Sequence, residues 1–431
     1  MKKTLLLIVL FLFIGLSVPI NASAQVKEFL LSNKIKVLFE KTDHSQAVSI
    51  KVFTPVSCSS EQSDKAGISY LSYYSMKIST LKRLREQLTT DIDDIGADIS
   101  GDAKSQYAYI GIDFLSPYLD KAADILSDII INPAFNEKEI IASKDDIKIS
   151  INERQDNIMT VAMDNFLENF YRQTPYAFPN IGTIKTINAI TTDDIKQWHK
   201  YSYNAANIII SVAGNLDEKI LKKTLETYFS KTPAGKKFEA PSFTLTKQDK
   251  PSIRIRSKFH QSAIAVGFES PSLNDADFAA FDIAVNILGD GMNGRLGKEI
   301  RINLGLTYGI YMIHSVLREN NFSLIISAMD DKNVNLALKT IDDILKDFGS
   351  KEAAEEELSR VKAKIRSGYL LGNQTVQSKS FNNGWGEIAA GDYNYNAKYL
   401  KKIEKVNLTD VLKTSQKVFR PHPLTVIIDE R

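Results

Sequence analysis

Along the chain the apolar positions switch between a period of two and a period near 3.6, and they do so twice in the same order. Tyr107 to Phe114 alternates as a strand does, and Leu119, Ala122, Ala123, Leu126 and Ile130 then mark the apolar face of a helix. Further on, Phe322 to Ser327 predicts a strand, followed by Val334, Leu338, Ile341, Leu345 and Phe348 at steps of 4, 3, 4 and 3. The two helices share a local sequence. Asp124-Ile125-Leu126-Ser127-Asp128 matches Asp343-Ile344-Leu345-Lys346-Asp347 at an offset of 219. A second match lies near the end of each half: Thr192 to Lys196 precedes the strand Asn207–Val212, and Thr409 to Lys413 precedes Leu424–Ile428, at an offset of 217. Two matches in one order at nearly one offset indicate a duplication.

Pro233, Gly235, Pro241 and Pro251 punctuate a polar stretch from Lys231 to Pro251 and place the boundary there. The expected organisation is an N-terminal domain over 25–235, a linker over 236–251 and a C-terminal domain over 252–431. Alternating strands, which imply one face in water, combine with long amphipathic helices. They predict an α+β fold: two homologous domains, each an antiparallel sheet packed against helices.

Residues 1–24 stand outside this pattern. Lys2 and Lys3, the apolar run Leu5–Val18 and Ala22-Ser23-Ala24 have the form of a signal peptide. Cleavage is expected before Gln25, with export to a bacterial periplasm. The run is short and interrupted for a membrane span, and no second stretch reaches spanning length, so no stable membrane insertion is expected. Loss of Lys2 and Lys3 takes the 54 Lys and Arg to 52, against 52 Asp and Glu. That balance weighs against a nucleic-acid partner. Cys58 is the only cysteine, so no internal disulfide can form and stability must come from apolar cores.

Candidate chemistry is sparse. His44, His199, His260, His314 and His422 include no two within five residues, and only Cys58 could add sulfur. There is no Gly-x-Ser-x-Gly elbow. Gly289 to Gly294 is glycine-rich but lacks the Lys-Ser/Thr of a phosphate loop, and a turn feeding a helix accounts for it.

One helix carries more information. After Lys65-Ala66-Gly67-Ile68-Ser69 come Tyr70-Leu71-Ser72-Tyr73-Tyr74, and later Asp94-Ile95-Gly96-Ala97-Asp98-Ile99-Ser100. This context resembles the zinc helix of the pitrilysin/insulinase family of metallopeptidases, whose inverted motif is His-x-x-Glu-His. There, two imidazoles at i and i+4 reach one metal, and the glutamate before the second histidine is the general base. Here Tyr70, Tyr73 and Tyr74 hold those three positions, and a phenol of pKa about 10 is a poor zinc ligand and no substitute base. The family's third ligand would fall near Ser150 or Ile151. Glu153, the nearest acid, is out of register. The resemblance therefore implies a protease scaffold with no metal site and no cofactor bound by this chain. The bland reading is that the tyrosines, with Leu71 and Met76, form the packing face of a core helix.

The resemblance extends over nearly all of the mature chain. Leu126 to Phe135, Pro175-Tyr176 with Gly182-Thr183 and Thr191 to Asp194, and Asn204 to Leu216 are each similar to family segments in the family's order. The most specific match is Gly294 to Gly309, similar to a C-terminal-domain signature in which an arginine and a tyrosine seven apart reach the bound peptide opposite the zinc. Here they are Arg301 and Tyr308. An arginine offers a planar, permanently charged fork to a carbonyl or oxyanion, and tyrosine adds one hydroxyl donor. The bland alternative makes Arg301 a helix C-terminal cation near Gly305, and Tyr308 a packed strand residue.

Some members of the family work as heterodimers in which one subunit carries zinc and the other has lost it but keeps the Arg/Tyr pair. The resemblance thus implies a non-catalytic, substrate-binding subunit, with a zinc-bearing homologous peptidase subunit as partner, zinc held in that partner, and peptides bound in extended form along a sheet edge. The rivals are a catalytically inert peptide-binding or structural protein that retains the clam-shell fold, and an autonomous enzyme using another site.

Overall fold

The computed structural model describes residues 25–245, 251–420 and 422–431. The expected signal peptide and positions 246–250 of the expected linker lie outside the described residues. The first half builds a six-stranded sheet from β1 (Lys27–Leu30), β2 (Lys36–Lys41), β3 (Ala47–Thr54), β4 (Asp98–Ala103), β5 (Ala108–Leu115) and β6 (Ile209–Gly214), in the order β1-β2-β6-β3-β5-β4. The second half builds a five-stranded sheet from β7 (Ser252–Arg256), β8 (Ser262–Ser270), β9 (Ile310–His314), β10 (Asn321–Met329) and β11 (Leu424–Asp429), in the order β7-β11-β8-β10-β9.

Apart from β1 the two orders are the same, and so is the register. Phe53 stands opposite Tyr109 and Ile209, as Gly267 stands opposite Leu324 and Leu424. The matched tracts Thr192–Lys196 and Thr409–Lys413 prove to be helix starts, and their structural equivalence is one residue from the sequence match. Thr191 and Asn407 are the N-caps, each in a reciprocal capping box with the aspartate three residues on, Asp194 or Asp410.

The sheets are antiparallel except for one pair each, β2 with β6 and β7 with β11, which run parallel. In both halves the last strand inserts between the first two strands of the repeat. It arrives from the far end of the half, a connection long enough to permit parallel pairing.

One face of each sheet packs on its own half's helices. Val48, Ile50 and Val52 meet Leu71, Leu126 and Leu225 in the first core, and Ile264, Val266 and Phe268 meet Phe281, Ile341 and Leu345 in the second. The expectation that the other face meets water is corrected: β3, β6, β8 and β10 are buried along nearly their whole length. Each half covers the other's sheet with one helix. Ile158–Phe170, from the first half, lies on β8, β10 and β11, and Val376–Trp385, from the second, lies on β2, β3 and β6. The alternation misled because the polar members on the covered face are mostly small or mutually paired, such as Ser49, which accepts from Ser380 at 2.7 Å, and Lys51 beside Asp113.

Candidate functional site

The tyrosines sit on the helix Ile68–Met76, which packs against the helix Glu137–Gln155 and against β4, an edge strand. The helix begins at Gly67, whose φ of +93° and close approach to Gly182 both exclude a side chain; a Cβ there would lie 2.8 Å from the Gly182 Cα. Glu61 holds this entry by accepting from the backbone N–H groups of Gly67 (2.7 Å) and Ser69 (2.8 Å). Burial raises the Glu61 carboxyl to about 7, although those hydrogen bonds act against the shift.

Tyr73 is 5% exposed, with its ring against β4 at Gly101, where a Cβ would lie 2.7 Å from the ring. Tyr70 stacks on Tyr74 at 6.4 Å and meets Tyr73 edge-on at 6.4 Å. The Tyr74 hydroxyl donates to Asp146 at 3.1 Å. Burial raises the pKa of all three phenols, so they stay neutral at ordinary pH. The position of the general base and those of the two imidazoles are therefore filled by a packed aromatic cluster.

A cation completes the cluster. The Lys77 ammonium lies 4.8 Å from the Tyr73 ring centroid and 5.4 Å from that of Tyr74, and Lys77 is one turn beyond them on the same chain. The arrangement does not fit a divalent metal, since neutral phenols and an ammonium replace imidazole and carboxylate donors. Among the described residues no group of three His, Cys, Asp or Glu side chains is placed to hold one. Where the third ligand was sought, Ile151 is buried in the first core, Ser150 is exposed and Glu153 is exposed. His199 is buried between Phe135 and Tyr203, and His314 pairs with Asp282 at 3.1 Å. His44, His260 and His422 are exposed. Cys58 is buried and its thiol pKa is pushed up by burial, the reverse of what a nucleophile needs.

Beside the tyrosines lies a cavity of about 720 Å³ between the halves. The first half contributes Tyr70, Tyr73, Tyr74 and Lys77, with Gly101–Lys104 of the β4 edge, and the second contributes Ser315, Val316 and Leu317, the turn after β9. Gln106 ties the walls together. Its Oε1 accepts from the Arg318 N–H at 2.9 Å while its Nε2 donates to the Tyr176 hydroxyl at 2.8 Å. Lys77 was open to discovery from its helical spacing to Tyr73 and Tyr74, whereas the turn from the other half left no signal in the sequence.

Arg301 and Tyr308 do not line this cavity. Arg301 lies in a π-helical stretch, Gly297–Asn303, closed by the Leu304 N–H on the Glu299 carbonyl at 3.0 Å, and Gly305 follows at a φ of +62°. Tyr308 precedes β9 by two residues rather than lying in a strand, and it is 90% exposed. Arg301 is exposed as well, and neither side chain has a hydrogen-bond or ion-pair partner among the described residues. The five residues of β9 separate Tyr308 from the turn at the cavity, roughly 15–20 Å of strand.

A duplicated α+β shell whose would-be metal helix carries phenols defines a metallopeptidase-like scaffold rather than an assembled zinc centre. The chain belongs to the insulinase family, peptidase family M16: residues 36–184 match Insulinase (Peptidase family M16), and residues 189–365 match the Peptidase M16 inactive domain. It is 28% identical over 400 residues to a Rickettsia felis protein called an uncharacterized zinc protease, covering 92% of this chain and 96% of that one. It is 23% identical over 417 residues to the non-peptidase homolog YmxG of Helicobacter pylori, covering 95% of this chain and 94% of that protein. The crystal structure of a peptidase M16 inactive domain from Pseudomonas fluorescens superimposes with a TM-score of 0.86 at 19% identity, covering 94% of this chain and 97% of that chain.

Proposed function

We propose that the protein is the non-catalytic, substrate-binding subunit of an exported heterodimeric zinc metallopeptidase that degrades unfolded peptides. A homologous subunit with an intact metal motif supplies zinc, base and water, and this chain supplies Arg301 and Tyr308 to that subunit's site. The observation that carries the reading is the placement of the pair. An arginine and a tyrosine that are both solvent-facing and unpartnered, at the far end of β9 from the chain's own tyrosine cavity, suit a site on another chain. A desolvated guanidinium over a developing oxyanion stabilises it far more than water does, so the pair gains its effect only when the partner closes over it.

The test is to combine the purified chain with its zinc-bearing homologue and follow cleavage of an unfolded peptide. We expect cleavage well above that of the homologue alone, reduced on the order of 100-fold by Arg301→Ala with the far-ultraviolet circular dichroism unchanged. Equal rates with and without the chain, or full joint activity in Arg301→Ala, would overturn the reading. A catalytically inert peptide-binding or structural protein is the second reading, favoured by the tyrosine cluster itself; it expects peptide or partner binding with no gain in cleavage.

A further inference from the structure

The cavity beside the tyrosines contains a charge arrangement that the loss of metal does not account for. Three of its lining side chains are cations. Lys104 is paired with Asp102 at 2.5 Å and Arg154 with Asp164 at 2.6 Å, while Lys77 has no ion pair among the described residues. Burial depresses the Lys77 pKa, with Asp98 and Asp102 pulling the other way, as befits an ammonium moved out of water without a contacting anion. Because Lys77 already covers the faces of Tyr73 and Tyr74, a cationic ligand finds those rings taken. A carboxylate, by contrast, finds an ammonium with no ion pair, whose one hydrogen bond among the described residues is a long one to the Tyr73 hydroxyl at 3.4 Å, in partly apolar surroundings.

Two further features define the shape of the ligand. Residues Gly101–Lys104 bring the outer edge of the sheet to the cavity wall. The Ala103 N–H already donates to Asp102 at 2.8 Å and the Lys104 carbonyl accepts from Ser57 at 2.6 Å, so an extended chain can add to the edge only on the Gly101 side of them. On the other side the Ser315–Leu317 turn, fixed through Gln106, forms a wall from the second half. The turn bounds the cavity on the second half's side, and a bounded space suits a chain end better than a continuing strand. The volume of about 720 Å³ lies within the ordinary range for ligand sites.

We infer that this cavity binds the C-terminal end of a peptide, with the terminal carboxylate on Lys77, an apolar or aromatic last side chain among Tyr70, Tyr74 and Phe178, and the preceding residues along β4. The inference rests on the peptide-binding reading above, but it concerns the lone chain and is tested without the partner.

The probe is a six-residue peptide ending in phenylalanine, dye-labelled at its N-terminus, titrated into the full chain and read by fluorescence anisotropy. The free acid is expected to bind at least about tenfold more tightly than its C-terminal amide, the scale of one charge-assisted hydrogen bond. Lys77→Met is expected to bring the acid down to the amide's affinity, and Lys77→Arg to keep part of the preference. No binding of the free acid, equal binding of acid and amide, or a preference that persists in Lys77→Met would overturn the assignment. An amidated peptide with an internal glutamate that binds as tightly as the free acid would overturn the terminal placement. Because the acid–amide comparison uses the unaltered chain, it decides the matter even if a variant fails to fold. Its failure would leave the joint-cleavage test of the subunit reading untouched.

Discussion

The two crossed helices occupy equivalent places and are held in opposite ways. Ile158–Phe170 lies on the second sheet through Phe166 and Phe170, packed with Phe322, Leu324 and Val426 in an apolar cluster. Val376–Trp385 also brings an aromatic ring, Phe381, to Phe53 and Tyr109. Around it, however, Lys379 pairs with the buried Glu40, Asn383 donates to the same carboxylate at 2.9 Å, and Ser380 donates to Ser49. At the equivalent register position even the steric fit is inverted. On the first sheet the strand carries Phe53 and the helix carries Gly384, where a Cβ would stand 2.2 Å from the ring. On the second the strand carries Gly267 and the helix carries Phe166, again at 2.2 Å. The duplication kept the knob and the hole but exchanged which element bears each. One joint gains its stability from buried apolar area, and the other adds a polar network that fixes its register at little net gain.

The largest effect should come from the apolar joint. Phe166→Ala is expected to cost about 3–5 kcal/mol in denaturant unfolding, because the hole at Gly267 has no other occupant. Pairing Phe166→Gly with Gly267→Phe should recover a good part of that loss by recreating the other joint's arrangement. No recovery would mean that the two contacts are not equivalent.

The first half also buries more polar groups away from its joint, and acid should reveal this. Burial holds His199 down to about 4, below its usual value near 6.5, so its stabilising contribution is present above pH 6.5 and is lost as pH falls toward 4. The expected loss is roughly 3 kcal/mol by pH 4, and His199→Phe should abolish that part of the slope. Hydrogen exchange followed peptide by peptide would place the loss in the first half, and an equal loss in the second would break the contrast.

The smallest effect is expected at the polar joint. Glu40→Gln should cost about 1–3 kcal/mol, moderated because Lys379 retains some contact with water, and Glu40→Met with Lys379→Met should approach the unaltered protein.

How much of this the sequence disclosed follows from where each signal resides. The duplication was legible because strand and helix periods are local, and the Thr191 and Asn407 caps with their partner aspartates repeat a short-range motif. The absence of metal donors at Tyr70, Tyr73 and Tyr74 was legible for the same reason. The helix exchange was not, since nothing local tells Phe166 that its partner is Gly267, about a hundred residues away. Buried serines such as Ser323 and Ser327 looked like a wet face because polarity is read from composition, while burial depends on what packs against the strand. At the site, Arg301 and Tyr308 were named from a short motif, but their separation from the tyrosine cavity depends on β9 and its turn, which only the assembled sheet defines.

The crossing of the helices also sets an order of events during synthesis. The first sheet can pair its strands once β6 has been made, yet Phe53, Tyr109 and Leu38 stay uncovered until the chain has grown to Trp385. For the intervening stretch of some 170 residues a nascent chain displays an apolar sheet face with no lid of its own, the condition under which holding chaperones engage. A fragment ending at the midpoint should therefore aggregate, and it should become soluble when the second half is supplied as a separate chain.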